Sequence, residues 1–527
     1  MKKFYLFFTA VALPAILMAQ NINPSQNKIF RFNEVMRIEL TMSESDKTDL
    51  IDMVDVQSRE YFHATAKIRN TKIDTTVISD VGVRLRGNTS RDKFKKSIKI
   101  DFKEFGGEKF YNNKKFNLKA ETNDPSFLRE YISYHIMRNY GVPAPRTHFV
   151  DLHINGEYMG LYLNFEQIDD EFVDRRFEDN EAGNLYKCLY PATLNDVNDI
   201  SNNNVYIIKN NSSINDRTRL INFVSELSEA SPSDFESRID PIFNIDGYLK
   251  QLAIEALIGH WDGYTKNSNN YYLYEDTATM KIHFIPYDLD NTWGIDWGFL
   301  DYENDVAADW AGGLWTETIL TDKVLAVPAY YEQFCRHIVT VAENFFNDAY
   351  MIPMFDSLQK LLDPYIAADQ YYTYDNGFSS SDFNAAADEA WGNHVWYSLK
   401  EYLNLRRTKF LSDLSAYASY GAVEPIDPFD PLVVGSPSGS TSSTFASQRN
   451  TDMSIFPNPV TENYFYVNAV APIKEQAIAV FDQMGRKLPI QVQNNYAGEY
   501  RIEFVTEPLP GLYIIRAGEI SKRLLVQ

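Results

Sequence analysis

Apolar and polar positions change period several times along the chain. Residues 29–42 alternate, as do 81–86 and, beyond the polar turn Gly87-Asn88-Thr89-Ser90, 95–102; a period of two marks strands with one buried face. Residues 115–120 read as a further strand. Asp124-Pro125-Ser126 then predicts a helix start, with Asp124 as cap and Pro125 at the first helical position. Leu128, Tyr131, Ile132, His135 and Ile136 recur at three-to-four spacing, and Gly141 ends the run. His135 has no His or Cys partner one turn away and reads as a packed helix residue. Strands over 147–154 and 159–165 meet at Asn155-Gly156, a strong hairpin signal. Residues 244–259 predict an amphipathic helix, and 271–274 with 281–287 a second hairpin. Residues 319–420 read as helices, two of them over 384–391 and 394–414.

The two ends differ from this middle. Lys2 and Lys3 precede an apolar stretch, and Leu17-Met18-Ala19 fits a small-residue cleavage site, so 1–19 read as a secretory signal peptide. No later stretch is apolar enough for a membrane helix, so no transmembrane segment is expected after signal removal. Residues 423–452 are rich in Pro, then in Gly, Ser and Thr, the composition of a linker. Over 453–527 short alternating runs return between turn residues, which predicts a small all-β sandwich. Its PNP turn, VFDQMGRKL and the terminal GLYIIRAGEISKRLLVQ resemble the type A sorting domain of the type IX secretion system of Bacteroidetes. That resemblance implies the type IX machinery as a partner, export across the outer membrane, and a secreted or cell-surface protein.

Composition narrows the function classes. Among 527 residues, Lys+Arg number 50 and Asp+Glu 72, a net charge of −22, which disfavours general nucleic-acid binding. Two cysteines, Cys188 and Cys335, exclude a disulfide scaffold and a thiolate zinc cage; one bridge between them stays open.

The candidate chemistry lies in the middle. At the end of the 244–259 helix comes His260-Trp261-Asp262, with Asn267 five residues after Asp262. A hairpin follows, then Asp288-Leu289-Asp290. Protein kinases use this order of parts: a loop Asp accepting the hydroxyl proton, an Asn for one Mg²⁺, and an Asp after the next hairpin for the metal pair. Asn267, Asp288 and Asp290 offer the hard oxygen donors that Mg²⁺ (or Mn²⁺) takes. The small-residue hairpin tip between Arg84, Arg86, Lys95 and Lys96 suits an anion. Blander readings exist: Asp262 as a surface acid, Asp288 and Asp290 as a structural Ca²⁺ turn, and an ordinary basic hairpin.

The runs VRLRGNTSRDKFKKSIKIDF, FNLKAETNDPSFLREYISYHIMRNYGVPAPRTHFVDLHINGEYMGLYLNFEQID and GHWDGYTKNSNNYYLY…KIHFIPYDLDNTWG together resemble the CotH family of secreted or spore-coat atypical protein kinases. The resemblance implies an α+β fold, with an atypical kinase-like two-lobed domain over 20–422 ahead of the β-sandwich. It also implies transfer of a phosphoryl group from ATP to Ser or Thr of a protein substrate. Carried onto this sequence, Asp262 is the catalytic aspartate, Asp288 the metal aspartate, and Asn267 shares the metal. The turn Arg86, Gly87, Asn88, Thr89 and Ser90 replaces the glycine-rich loop. Lys119 takes the phosphate-pairing lysine position, with Arg129 and Glu130 both open as its helix partner. Glu166 to Ile168 takes the place of the adenine-holding hinge. G-x-G-x-x-G and A-P-E are absent, and D-L-D stands for D-F-G. Competing readings are a catalytically silent surface or adhesion protein on this fold, and a carboxylate glycoside hydrolase, which leaves Asn267 and the basic hairpin without a role.

Overall fold

The computed structural model describes residues 28–52, 55–87, 89–177, 182–297, 310, 318–426, 453–456, 460, 463–469, 478–481, 486–496, 499–506, 508–509, 511–517 and 520–526. The predicted signal peptide and most of the predicted linker lie outside them. The chain divides into two compact units, Met1–Leu432 and Val433–Gln527. The fold is mixed α+β, with twelve α-helices among the described residues.

The first unit opens with β1 (Val35–Thr41), α1 (Glu44–Ile51), β2 (Phe62–Asn70), β3 (Ile73–Leu85), β4 (Ile98–Asp101) and β5 (Lys115–Lys119). Helix α2 (Arg129–Asn139) and strands β6 (Thr147–Ile154) and β7 (Glu157–Glu166) follow. The strands close into a barrel in the order β1-β2-β3-β4-β5-β7-β6, and only the β1–β6 closure is parallel. Closure leaves no free sheet edge. Alternation sends Val83, Leu85, Ile98, Ile100, Phe116 and Leu118 into the barrel core and their neighbours outward. At the β6–β7 turn Asn155 and Gly156 both have positive φ, 50° and 83°, the conformation a two-residue hairpin needs.

Next come α3 (Asp170–Arg176), β8 (Leu185–Cys188), β9 (Tyr206–Ile208), α4 (Thr218–Glu229), α5 (Phe235–Ile239), α6 (Ile245–Ile258) and α7 (Tyr264–Asn267). Strands β10 (Tyr271–Glu275) and β11 (Ile282–Pro286) complete a four-stranded sheet of order β11-β10-β8-β9. Helices α8 (Ile319–Leu325), α9 (Pro328–Asn344), α10 (Asp348–Ala368), α11 (Ser380–Ala385) and α12 (Leu399–Asp413) finish the unit. Helix α6 is capped by the Asn244 side chain, which accepts from Gly247 N, and is stopped by Gly259 at φ 68°. Its side chains, with those of α9, α10 and α12, form the largest core. A small cluster of Phe165, Ile168, Leu185, Tyr272, Ile285 and Tyr287 joins the barrel to the second sheet.

The second unit contains β12 (Met453–Phe456), β13 (Tyr464–Ala469), β14 (Ile478–Phe481), β15 (Lys487–Leu488), β16 (Ile490–Tyr496), β17 (Glu499–Phe504), β18 (Gly511–Ala517) and β19 (Ile520–Val526). They form two four-stranded sheets, β12-β13-β17-β16 and β15-β14-β18-β19.

Several expectations need correction. Helix α2 begins at Arg129, because Phe127 sits at φ 61° and cannot continue a helix from Pro125. Asp124 instead ties a turn, accepting from Ser126 N at 2.8 Å and Arg129 N at 2.9 Å. No helix spans 384–391: α11 ends at Ala385, and Gly392 and Asn393, at φ 87° and 51°, make the turn that pairs Gly392 with Val395. Helix α12 starts at Leu399 rather than His394. Cys188 and Cys335 are buried free thiols and form no bridge. Among the described residues no helix is long and apolar enough to cross a membrane.

Candidate functional site

Lys119, Asp288 and Asp290 meet where the outer face of the barrel approaches the second sheet, and the space beside them is the candidate cleft. Lys119 is the last residue of β5, on the face opposite the core-filling Phe116 and Leu118. Its Nζ donates to Glu130 Oε2 at 2.7 Å and to Asp288 Oδ1 at 2.6 Å, and lies 3.1 Å from Asp290 Oδ2. The choice between Arg129 and Glu130 is thereby made: Glu130 is the helix partner. Arg129 instead pairs with Asp124 and donates to Trp293 O at 3.2 Å and Tyr397 O at 2.9 Å.

Glu130 and most of Lys119 are buried while Asp288 and Asp290 keep part of their side chains in solvent, and the charges act on one another across this half-dried site. Burial alone would lower the Lys119 ammonium, but Asp288, Asp290, Glu130 and Glu121 together hold it well above the usual lysine range. Burial would raise Asp288; Lys119, its hydrogen bond, Arg86 and Lys187 outweigh that and keep its carboxyl low. Asp290 goes the other way, pushed up to about 7 by burial and by the negative Asp288 and Glu130, with Lys119 opposing. Two carboxylates of one turn thus differ in proton affinity, the usual consequence of like charges held close.

The D-L-D turn is strained and anchored. Asp288 adopts φ 56°, a left-handed conformation that non-glycine residues rarely take. Its N–H donates to the Tyr134 hydroxyl at 2.9 Å, and Leu289 N donates to Glu130 Oε1 at 3.1 Å. Trp293 Nε1 donates to Ser133 Oγ at 3.0 Å. Helix α2 therefore grips the turn through Arg129, Glu130, Ser133 and Tyr134.

Asp262 follows α6 after the glycine stop. Four asparagine amides surround its carboxylate: Asn267 Nδ2 at 2.6 Å and Asn269 Nδ2 at 3.4 Å on Oδ1, Asn270 Nδ2 at 2.9 Å and Asn291 Nδ2 at 3.3 Å on Oδ2. The Asn291 contact brings the loop and the D-L-D turn together. Burial pushes the Asp262 carboxyl up and Asp288 adds to it, while Asn267, His260 and Asn269 oppose. The sequence reading missed Asn269, Asn270 and Asn291, although the asparagine-rich run after Lys266 was the available signal. His260 is buried with neither ring nitrogen hydrogen-bonded, a residue that shapes the loop from behind.

Arg86 lies over the Phe165 ring at 4.5 Å, and its Nη2 is 3.5 Å from the Tyr287 hydroxyl. Gly87, at φ 99°, has no room for a side chain: a Cβ there would fall 2.1 Å from Ser90 Oγ. Thr89 opens a short 3-10 turn that includes Ser90, and Arg91 pins the segment by donating to Gly87 O, Val56 O and Ser58 O, each at 2.9 Å. Asn88 lies outside the described residues. Lys95 does not serve this turn; its buried ammonium donates to Leu161 O and Asp369 Oδ2, both at 2.6 Å.

At the hinge position the Glu166 side chain faces three guanidinium groups, Arg146 at 2.7 Å, Arg175 at 2.8 Å and Arg176 at 2.7 Å. Ile168 is buried in the small joining cluster. Between them the Gln167 side chain is half-buried and accepts from Lys99 Nζ at 2.8 Å.

For a divalent cation, Asp288 and Asp290 fit chemically: their oxygens already converge on one positive centre, the Lys119 ammonium. Asn267 is turned to Asp262 through its Nδ2. Among the described residues no group of three or more His, Cys, Asp or Glu is poised as a preformed metal cage.

A family model described as CotH kinase protein matches residues 83–410, a span that holds every side chain of this cluster. The chain is similar to the inner spore coat protein H of Bacillus subtilis (strain 168), 25% identical over 297 residues, covering 55% of this chain and 79% of that protein. It is also similar to spore coat protein homolog 1 of Rhizopus delemar, 24% identical over 455 residues, covering 81% and 72%. Invasin CotH7 of the same organism is 27% identical over 253 residues, covering 44% of this chain and 40% of that protein.

Proposed function

Because the chain belongs to the CotH kinase protein family, we propose that it transfers the γ-phosphoryl group of ATP to a Ser or Thr hydroxyl of a protein substrate. The observation that carries this reading is the Lys119 ammonium, bonded at once to Glu130 of α2 and to Asp288 of the D-L-D turn. Phosphoryl transfer needs mainly positioning and charge neutralisation. Lys119 and Arg86 orient the phosphates and screen their charge. Asp262, its carboxyl raised by burial, accepts the proton of the substrate hydroxyl. The asparagine amides fix the direction in which its free lone pairs point. Asp288 and Asp290, with Asn267 nearby, would hold Mg²⁺ or Mn²⁺, which supplies Lewis acidity at the phosphates. Backbone at Glu166 to Ile168 would border the nucleotide base. A silent scaffold would use the Lys119–Asp288–Asp290 cluster only to hold the turn to α2, and leaves the Asp262 carboxylate with its ring of asparagine amides without a role.

We further place the working protein outside the cytoplasm, at the cell surface or released. The signal-like start and the sorting-domain-like tail support this, and the type IX machinery is the export partner they imply.

The test is label transfer. Purified protein is incubated with γ-labelled ATP, Mg²⁺ or Mn²⁺ and a Ser/Thr peptide library, beside Asp262→Asn and Asp288→Asn. Transfer by the wild type and neither variant is the expected result. Equal labelling by Asp262→Asn, or none by any form, overturns the reading.

A further inference from the structure

The cleft carries more positive charge than Lys119 alone. With Val83, Leu85, Ile98, Ile100 and Phe116 inside the barrel, Arg84, Lys99 and Lys115 fall on its outer face. Register sets Arg84 beside Lys99, and Lys99 beside Asn117, which lies between Lys115 and Lys119 on the same face. Lys187 on β8 and Lys209 beyond β9 approach from the second sheet.

These groups repel one another. Burial, then Arg86, Arg84, Lys115 and Lys209, hold the Lys99 ammonium well below the usual range. Burial, then Lys187, Lys115 and Arg84, lower Lys209. Lys115 has a counter-ion, Asp101 at 3.0 Å. Among the described residues Arg86, Lys99, Lys187 and Lys209 have no carboxylate within 4.0 Å. Their contacts are neutral: Lys99 Nζ donates to Gln167 Oε1 at 2.8 Å, Arg86 lies over Phe165 at 4.5 Å, and Lys187 over Tyr287 at 4.5 Å.

The strip runs in one direction. Across the register it passes from Lys119 on β5 to Lys99 on β4 and Arg84 on β3, and Lys99 reaches Gln167 beyond β7. In a chain of net charge −22 this is a local positive set; Asp101, Asp169 and Asp288 offset part of it, and Lys209 at its far end is exposed, so a polyanion would find charge there that is not fully compensated. A neutral base does not balance it.

We propose that a condensed phosphate chain lies along this strip, so that the cleft recognises its ligand through successive phosphates and takes inorganic polyphosphate as well as ATP. This rests on the phosphoryl-transfer reading and deepens it by naming the chemistry of the donor-side ligand.

The test measures binding of adenosine, ATP, inorganic tripolyphosphate and a longer inorganic polyphosphate to the full protein by calorimetry at fixed Mg²⁺ and two salt concentrations. Tripolyphosphate is expected to displace ATP. The longer chain is expected to bind about tenfold more tightly than tripolyphosphate, and both to weaken as salt screens the strip. A Lys99→Gln/Lys209→Gln double variant is expected to lose that chain-length gain. Because it relieves like-charge repulsion, it is also expected to melt no lower than the wild type, which separates lost binding from lost folding. If adenosine competes with ATP and tripolyphosphate does not, or if the longer chain gains nothing, the inference fails while the kinase reading stands. If ATP itself does not bind, both fail.

Discussion

Lys119 joins three carboxylates, so its removal should tell twice. Lys119→Met is expected to abolish detectable label transfer. It is also expected to destabilise the protein by about 3–5 kcal/mol near neutral pH, the usual cost of leaving buried charge unpaired. Chemical denaturation beside the wild type checks this; because Lys119 is the group that lowers the Asp290 carboxyl, its loss pushes that carboxyl further up and the destabilisation is expected to grow as pH rises. Asp262→Asn keeps the shape of the loop but removes the proton acceptor. It is expected to lower kcat by about 10²–10⁴-fold with little change in ATP affinity, read by steady-state kinetics beside calorimetry. Glu166 tests a different point. Burial would raise its carboxyl, but Arg146, Arg176 and Arg175 hold it well below its ordinary value of 4.5. The stabilisation it gives is therefore complete above about pH 4.5 and lost as pH falls through the lowered folded value. Glu166→Gln is expected to lower stability at pH 7 by about 3–5 kcal/mol and to flatten the acid limb of a stability-against-pH curve.

At the scale of elements, α2 and the D-L-D turn act as one piece. Tyr134→Phe removes the acceptor of the Asp288 N–H. It is expected to cost about 1–3 kcal/mol and to slow transfer without touching any ligand, measured by thermal unfolding and kcat together. Much of this framework was legible in the sequence. Period-two runs gave β4 to β7 within a few residues, and the amphipathic run over 244–259 gave α6 within a residue at each end. Other features were hidden because they depend on contacts distant in sequence. The start of α2 is set by Phe127 at positive φ, and the end of α11 lies ahead of a turn at Gly392 and Asn393. The functional residues followed the same division. Asp262, Asn267, Asp288 and Lys119 stood in motifs, whereas Glu130 became distinct from Arg129 only once side-chain direction on the helix was known. Lys95 looked like a partner for the hairpin tip because it is basic and adjacent, yet Asp369, far along the chain, claims it.

For the whole molecule, the family match ends at residue 410, inside the first compact unit. A chain ending at Leu432 is accordingly expected to keep the transfer activity of the full protein and the melting transition of that unit, checked by calorimetry and label transfer. The grip of α2 on the D-L-D turn has a last consequence. Many enzymes of this chemistry idle by swinging the corresponding helix outward and so breaking the lysine–glutamate pair. Here that motion would have to tear Arg129, Glu130, Ser133 and Tyr134 from their partners together. If the proposed phosphoryl transfer holds, the protein stays in its working posture, and turnover follows the arrival of donor and acceptor rather than a swing of α2.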